Sequence, residues 1–314
     1  LVVERILLAA PRGFCAGVSY AIEVVDLALK AFGTPLYVRH AIVHNEWVVR
    51  SFERRGVVFV ETVEEVPEGM PVVFSAHGVS PQVREKAAAR NLRVVDATCP
   101  LVTKVHNEAR RFAEKGYHIL YVGHRGHAEA EGILGEAPES ITLIETVEEA
   151  ESIQPPSSEK LALLTQTTLS LIEVNRIADV LRRRFPNLEA PSRDDICYAT
   201  TNRQVTVQEL ALQCDLVLVI GSRTSSNSNR LREVAESAGV ESLLLADGSE
   251  VRPEWAERRC IGVTSGASTP EHLVEEVVGA LLRLSPGAKV ESLEVLRENV
   301  RFQPARELVR LAMR

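Results

Sequence analysis

Leu36-Tyr37-Val38-Arg39-His40 returns as Leu120-Tyr121-Val122-Gly123-His124, and Glu61-Thr62-Val63-Glu64-Glu65 returns unchanged as Glu145-Thr146-Val147-Glu148-Glu149. Both pairs lie 84 residues apart. Cys15 and Cys99 are also 84 apart, and His44 and His127 are 83 apart, so a cysteine and a histidine travel with the scaffold of a repeat. A third copy is weaker but keeps the order: Cys197, then Leu216 to Gly221 with Ser225-Ser226-Asn227, then Leu245-Ala246-Asp247, then Val263 to Gly266. The copies end alike. Ser75 to Ser80, Thr165 to Ser170 and Thr264 to Thr269 each follow an apolar run and finish on a hydroxyl residue suited to capping a helix. Pro81 and Pro270 then fall at the first helical position, where a missing N–H costs little.

A period of this size exceeds the roughly 20–50 residues of solenoid units and suits small α/β units of about 90 residues. Chance likeness among generic βα units is the competing reading, but generic units need not keep a polar residue at the same loop. Within the copies, Leu36 to Val38, Val57 to Val60, Val72 to Phe74, Ile119 to Val122, Leu161 to Leu164 and Leu216 to Ile220 alternate with helical patterns, the rhythm of parallel sheets covered by helices. Val18, Ala21, Ile22, Val25 and Leu29 follow helical spacing, and Gly33 stands where a C-terminal cap belongs. The expected class is α/β with parallel-type sheets in three related units. They cover residues 14–96, 97–193 and 194–285, the last completed by a strand from residues 1–13, with a C-terminal arm over 286–314 that carries no motif.

The chain has 314 residues, 45% apolar and 25% charged, the balance of an ordinary globular protein. Its longest clean apolar run, Leu216 to Ile220, is far short of the roughly 20 residues of a membrane span. Val2 to Ala10 reads as a strand and not a signal peptide, because its apolar stretch is short and follows an acidic residue. A cytoplasmic location is therefore expected. A net charge of −7 gives no positive field for nucleic acid. Five cysteines make a poor disulfide framework and are expected as thiols.

Ligands of α/β sheets bind beyond the carboxyl ends of the strands, where every polar residue named above falls. If three similar units surround a shared axis, Cys15, Cys99 and Cys197 meet despite their separation in sequence. Each lies near a helix start, which favours the metal-binding thiolate. No C-x-x-C pair occurs, which argues against the usual zinc modules. Iron-sulfur clusters commonly take four cysteines, so three would leave one iron open for a substrate oxygen. Cys214 and Cys260, in apolar surroundings, read as core residues. Equivalent loops supply His44, His77, His127, Ser225, Asn227 and Ser268, hydrogen-bond donors suited to an anion such as a diphosphate. His40, His106, His118, His124 and His272 read as structural or surface residues. Glu129 is the candidate proton donor, its acid form favoured by neighbouring negative charge. The Glu64-Glu65 and Glu148-Glu149 pairs read as solvated helix starts.

At these loops the chain resembles the 4-hydroxy-3-methylbut-2-enyl diphosphate reductase family, also called LytB. The matching stretches are Pro11 to Val18, Ile42 to Asn45, Ser75 to Val79, Asp96 to Pro100, Gly126 to Glu129, Thr165 to Ser170, Asp194 to Gln204, Ser225 to Arg230 and Thr264 to Pro270. The resemblance implies a trefoil of three units around a central 4Fe-4S cluster on Cys15, Cys99 and Cys197. It implies diphosphate contacts from His44, His77, His127, Ser225, Asn227 and Ser268, with Ser226 nearby, and protonation by Glu129 assisted by Thr167. The implied reaction removes the allylic hydroxyl to give isopentenyl and dimethylallyl diphosphates, with electrons from reduced ferredoxin or flavodoxin. A monomer is expected. Ala128 stands where the family pattern has proline, which leaves the implied ligands intact. Two other readings use the same residues: a three-cysteine cluster dehydratase of the quinolinate synthase type, which would turn over without reductant, and a cluster-based sensor, which would need no proton donor.

Overall fold

The structure, a computed structural model, describes residues 3–191 and 194–313. Leu1 and Val2 of the expected first strand, Ser192 and Arg193 of the expected second and Arg314 of the expected arm lie outside the described residues. The chain opens with β1 (Arg5–Ala10), α1 (Ala16–Phe32), β2 (Leu36–Arg39), α2 (Glu46–Glu53), β3 (Val57–Val60), β4 (Pro71–Phe74), α3 (Pro81–Ala89) and β5 (Arg93–Asp96). It continues with α4 (Pro100–Glu114), β6 (His118–Val122), α5 (Ala128–Leu134), β7 (Ile141–Ile144), α6 (Val147–Ser152), β8 (Leu161–Thr165) and α7 (Leu171–Arg184). The remainder is α8 (Tyr198–Ala211), β9 (Leu216–Ile220), α9 (Ser226–Ser237), β10 (Ser242–Leu245), β11 (Cys260–Ser265), α10 (Glu271–Leu284), β12 (Lys289–Glu294) and α11 (Arg306–Ala312).

The strands form three sheets, ordered β10-β9-β11-β1-β12, β3-β2-β4-β5 and β7-β6-β8. Every pairing is parallel, which is the expected α/β class. The repeat is visible in the strand order: β3-β2-β4, β7-β6-β8 and β10-β9-β11 each place the first strand of a copy between its second and third. Each first strand follows a helix that starts right after one of three cysteines: Cys15 before α1, Cys99 before α4 and Cys197 before α8.

The described residues fall into two compact units. One is drawn from Leu1–Ala16, His44–Val48 and Tyr198–Val300, the other from Gly17–Val43, Val49–Cys197 and Arg301–Arg314. The first unit contains the five-stranded sheet. Along β9, Leu216, Leu218 and Ile220 enter one apolar cluster with Ile6, Ile261 and Val263, and Val217 and Val219 enter another with Leu7 and Ala9. Successive strand side chains point to opposite faces, so a continuous apolar run buries both faces at once. Helix α10 supplies Leu273, Val277 and Leu281 to the first cluster, and α8 and α9 supply Val207, Leu210, Leu231 and Val234 to the second.

The other unit contains the remaining two sheets. In β6, Leu120 and Val122 pack with α7, whereas Ile119 and Tyr121 pack with α4 and α5, the same two-faced burial. The His–Glu contacts of the repeat recur with it: His40 Nδ1 lies 2.8 Å from Glu61, and His124 Nδ1 lies 3.2 Å from Glu145. Glu65 and Glu149 reach back to the backbone N–H groups of Thr62 and Glu145, both at 2.7 Å, so the repeated acidic segments are capped helix starts, as expected. Here too α11 buries Leu308, and Phe302 meets Tyr20 of α1 edge-on at 6.4 Å.

Two local expectations change. Of the three hydroxyl residues expected as caps, Ser170 accepts from Glu173 N, whereas Ser80 stands at the N-cap without a side-chain bond, its Cβ packed against Gly135. Thr269 spends its hydroxyl on Ile220 O at 2.9 Å, and the helix starts later, which makes Pro270 the capping residue and not the first helical one.

Candidate functional site

In the first unit, the segment around Cys15 is pinned from both sides. Gly13 has φ +67°, a conformation that favours glycine, and its N–H donates to Ser265 Oγ at 2.9 Å while its carbonyl accepts from Arg203 Nη2 at 2.8 Å. Cys15 N–H donates to Ala267 O at 3.1 Å, and Ala16 N–H donates to the Tyr198 hydroxyl at 3.3 Å. Burial pushes that phenol up to about 12, so it stays protonated.

The loops after β9 and β11 meet in the same unit. Asn227 Oδ1 accepts from Ala267 N–H at 2.9 Å, and Asn227 Nδ2 is buried with no hydrogen-bond partner among the described residues. A buried donor left without an acceptor is costly, and an anion would satisfy it. Ser225 caps α9 by accepting from Ser228 N–H at 3.3 Å, which leaves its O–H to donate elsewhere. Ser268 Oγ donates to His44 O at 3.0 Å. Asn45, next to His44, caps α2 through Val48 N–H at 3.1 Å and so fixes the loop that bears the histidine.

The other unit brings together Cys99, Cys197, His77, His127, Glu129 and Thr167 by a short chain of bonds. Cys99 is the N-cap of α4, and its N–H donates to Ala76 O at 3.0 Å, beside His77. His127 Nδ1 accepts from Glu129 N–H at 3.2 Å, so in the neutral ring the proton sits on Nε2, the nitrogen that can donate to a ligand. The His77 ring meets the His127 ring edge-on at 5.8 Å, and its Nδ1 lies 3.3 Å from Ser75 Oγ. Cys197 N–H donates to Thr167 O at 3.1 Å.

Glu129 is 1% exposed, and both carboxyl oxygens accept from Thr167. Burial raises its pKa to about 7; the two bonds from Thr167 oppose the rise and the charge of Asp195 adds to it. The expected cause was negative charge alone, and the structure makes desolvation the larger one. Asp195 itself is buried, held by Thr165 N–H at 3.0 Å and Lys104 Nζ at 3.1 Å, and burial raises its pKa too.

The sequence reading missed Arg203, Tyr198, Ser265, Lys104 and Asp195. Arg203, Tyr198 and Asp195 lie in the matched stretch Asp194 to Gln204, but their contacts join residues far apart in the chain. His106, read as structural, is buried with Nδ1 2.6 Å from Glu136 and its ring edge against Gly78 and Gly132. The thiols divide by surroundings. Cys15, Cys99 and Cys197 are partly exposed at helix starts, whereas Cys214 and Cys260 are buried with their sulfurs 3.3 Å apart. Thiols at helix starts suit a soft metal centre better than a calcium or magnesium site. Cys15 belongs to one unit, and Cys99 and Cys197 to the other. Among the described residues, no group of three or more His, Cys, Asp or Glu side chains is gathered to hold a metal ion.

The model of the LytB protein family matches residues 6–282. A curated protein of Bradyrhizobium diazoefficiens, "4-hydroxy-3-methylbut-2-enyl diphosphate reductase 2", is 50% identical over 97% of this chain and 99% of its own length. The reductase of Nocardia farcinica is 53% identical over 97% of this chain and 91% of its own. Among solved structures, the E-1-hydroxy-2-methyl-but-2-enyl-4-diphosphate reductase of Plasmodium falciparum superposes with a TM-score of 0.96 at 36% identity, covering 99% of this chain and 98% of that one. A second structure, described as the terminal enzyme of the non-mevalonate pathway, matches with a TM-score of 0.64 at 28% identity, over 90% of this chain and 100% of that one.

Proposed function

The chain belongs to the LytB protein family, and from that membership we propose that it reduces 4-hydroxy-3-methylbut-2-enyl diphosphate on a 4Fe-4S cluster held by Cys15, Cys99 and Cys197. It is an oxidoreductase of the non-mevalonate route to isoprenoids and acts at the terminal step. The observation that carries the chemistry is Glu129, a buried carboxyl with a pKa near neutrality, on the helix that His127 caps.

When bound, the cluster supplies electrons and an iron that acts as a Lewis acid on the substrate's hydroxyl oxygen. The chain does the rest. His127 through Nε2–H, together with His44 and His77, binds the diphosphate, and Ser225, Asn227 and Ser268, whose O–H turns from His44 O to the anion, with Ser226 beside them, complete its hydrogen bonds. Glu129 keeps its proton until the carbon–oxygen bond breaks and then gives it to the departing oxygen, while Thr167 aims the carboxyl. Over the whole reaction two electrons and two protons enter, the hydroxyl leaves as water, and the allylic carbanion equivalent is protonated at either end to give isopentenyl or dimethylallyl diphosphate.

Reduced ferredoxin or flavodoxin supplies the electrons in this reading, and the chain acts as a cytoplasmic monomer. No helix among the described residues is long and apolar enough to cross a membrane. Neither the dehydratase nor the sensor reading gains support from the relatives. An anaerobic assay with the allylic diphosphate tests the choice. Consumption that requires a chemical reductant and yields both products is expected, and turnover without reductant would favour the dehydratase.

A further inference from the structure

The C-terminal segment carries no motif, and the family match stops at residue 282. In the first unit it nevertheless leads straight toward the Cys15 segment. Strand β12 pairs with β1 up to Ala10↔Glu294, and Val295 N–H donates to Ala10 O at 3.0 Å. Beyond it, residues 295–300 have no regular structure and most are exposed. Glu298, like Val295, is partly buried. Its side chain is 14% exposed, and Oε1 accepts from Arg203 Nη1 at 2.9 Å and from Asn202 Nδ2 at 3.1 Å.

Arg203 is 1% exposed, among the largest fully buried side chains described. Its Nη1 also donates to Ala199 O at 3.0 Å, and its Nη2 donates to Gly13 O at 2.8 Å. Glu298 is the one carboxylate bonded to this guanidinium among the described residues. A buried cation deprived of its counter-charge is strongly unfavourable, so without Glu298 the guanidinium would move toward water. That movement would release Gly13 O, two residues before Cys15, in a segment whose backbone is already held at φ +67°.

We propose that Glu298 is a positioning residue: through Arg203 it tethers the Gly13–Cys15 segment, so that the irregular stretch after β12 fixes one cysteine for the cluster. The role of Cys15 as a ligand rests on the reading above; the tether itself does not.

The test uses the full chain purified anaerobically, with Glu298→Ala and Glu298→Gln. Two readouts are followed: deuterium uptake of peptides covering residues 12–18 and 118–122, and the rate at which a chelator removes iron. Glu298→Ala is expected to speed exchange of the Gly13, Cys15 and Ala16 amides by about tenfold or more and to hasten iron loss several-fold, with residues 118–122 unchanged. Glu298→Gln keeps an acceptor oxygen but not the charge, and is expected to restore only part of the protection. Wild-type exchange at residues 12–18 in Glu298→Ala would overturn the tether, and so would an equal rise at 118–122, which would mark general destabilisation. Wild-type chain that holds no iron would defeat the cluster reading, and exchange would still decide the tether.

Discussion

Thr167 holds both oxygens of the Glu129 carboxyl: its N–H donates to Oε1 at 2.7 Å and its Oγ1 donates to Oε2 at 2.9 Å. The same residue's carbonyl accepts from Cys197 N–H. One residue therefore links the proton-bearing group to a cysteine. Both bonds favour the charged carboxylate, burial opposes them, and burial wins.

Glu129→Gln keeps the size of the side chain and one acceptor oxygen but removes the titratable proton. The variant is expected to keep its cluster and bind substrate, with kcat lower by about 10²–10⁴-fold, the usual loss for a general acid. Single-turnover kinetics and substrate titration separate the two effects. Full activity would take Glu129 out of the reaction.

The same group predicts a pH dependence of stability. Its folded pKa of about 7 exceeds the ordinary 4.5, so between these values the folded chain binds more protons than the unfolded chain. Unfolding free energy from this group therefore falls as pH rises from about 4.5 to about 7, by up to about 3 kcal/mol, and the contribution is fully present only below that window. Denaturant titrations across the window should show a steeper fall in wild type than in Glu129→Gln, where buried Asp195, whose pKa is also raised, keeps its own share. Identical slopes would contradict the buried-carboxyl assignment.

Thr167→Val deletes the hydroxyl bond and keeps the backbone one. Because that bond lowers the pKa of Glu129, its loss should move the alkaline limb of the kcat profile to higher pH. The rate on the plateau should fall about tenfold as the carboxyl loses its aim. A limb that stays in place would show that the hydroxyl does not act on Glu129.

Cys214→Ser and Cys260→Ser should keep the brown colour of the cluster, since both thiols are buried in the apolar core of the first unit. Each should cost about 1–3 kcal/mol from burying a hydroxyl, read by thermal or denaturant unfolding. Loss of colour in a still-folded variant would bring these sulfurs into the site.

Much of the fold was legible because the repeat keeps residues that do the same physical work. Leu36 and Val38 face the core in β2 as Leu120 and Val122 do in β6, and His40–Glu61 recurs as His124–Glu145. The helix starts after Cys15, Cys99 and Cys197 were legible from their loops. Strand β12 was not. It lies at the edge of its sheet, exposed nearly throughout, and Lys289, Glu291 and Glu294 give it none of the apolar alternation that marks a half-buried strand. Nor was the Glu298–Arg203 pair, whose partners are 95 residues apart. The extent to which burial sets the proton affinity of Glu129 also depends on packing that no local pattern records.

Native mass spectrometry of the anaerobically purified full chain, beside Cys15→Ser, Cys99→Ser and Cys197→Ser, tests the central claim most directly. Wild type should carry the added mass of one cluster of four irons and four sulfides, and each variant should lose all or part of it. A wild-type chain without that mass, or any of the three variants that holds the intact cluster as firmly as wild type, would contradict the account.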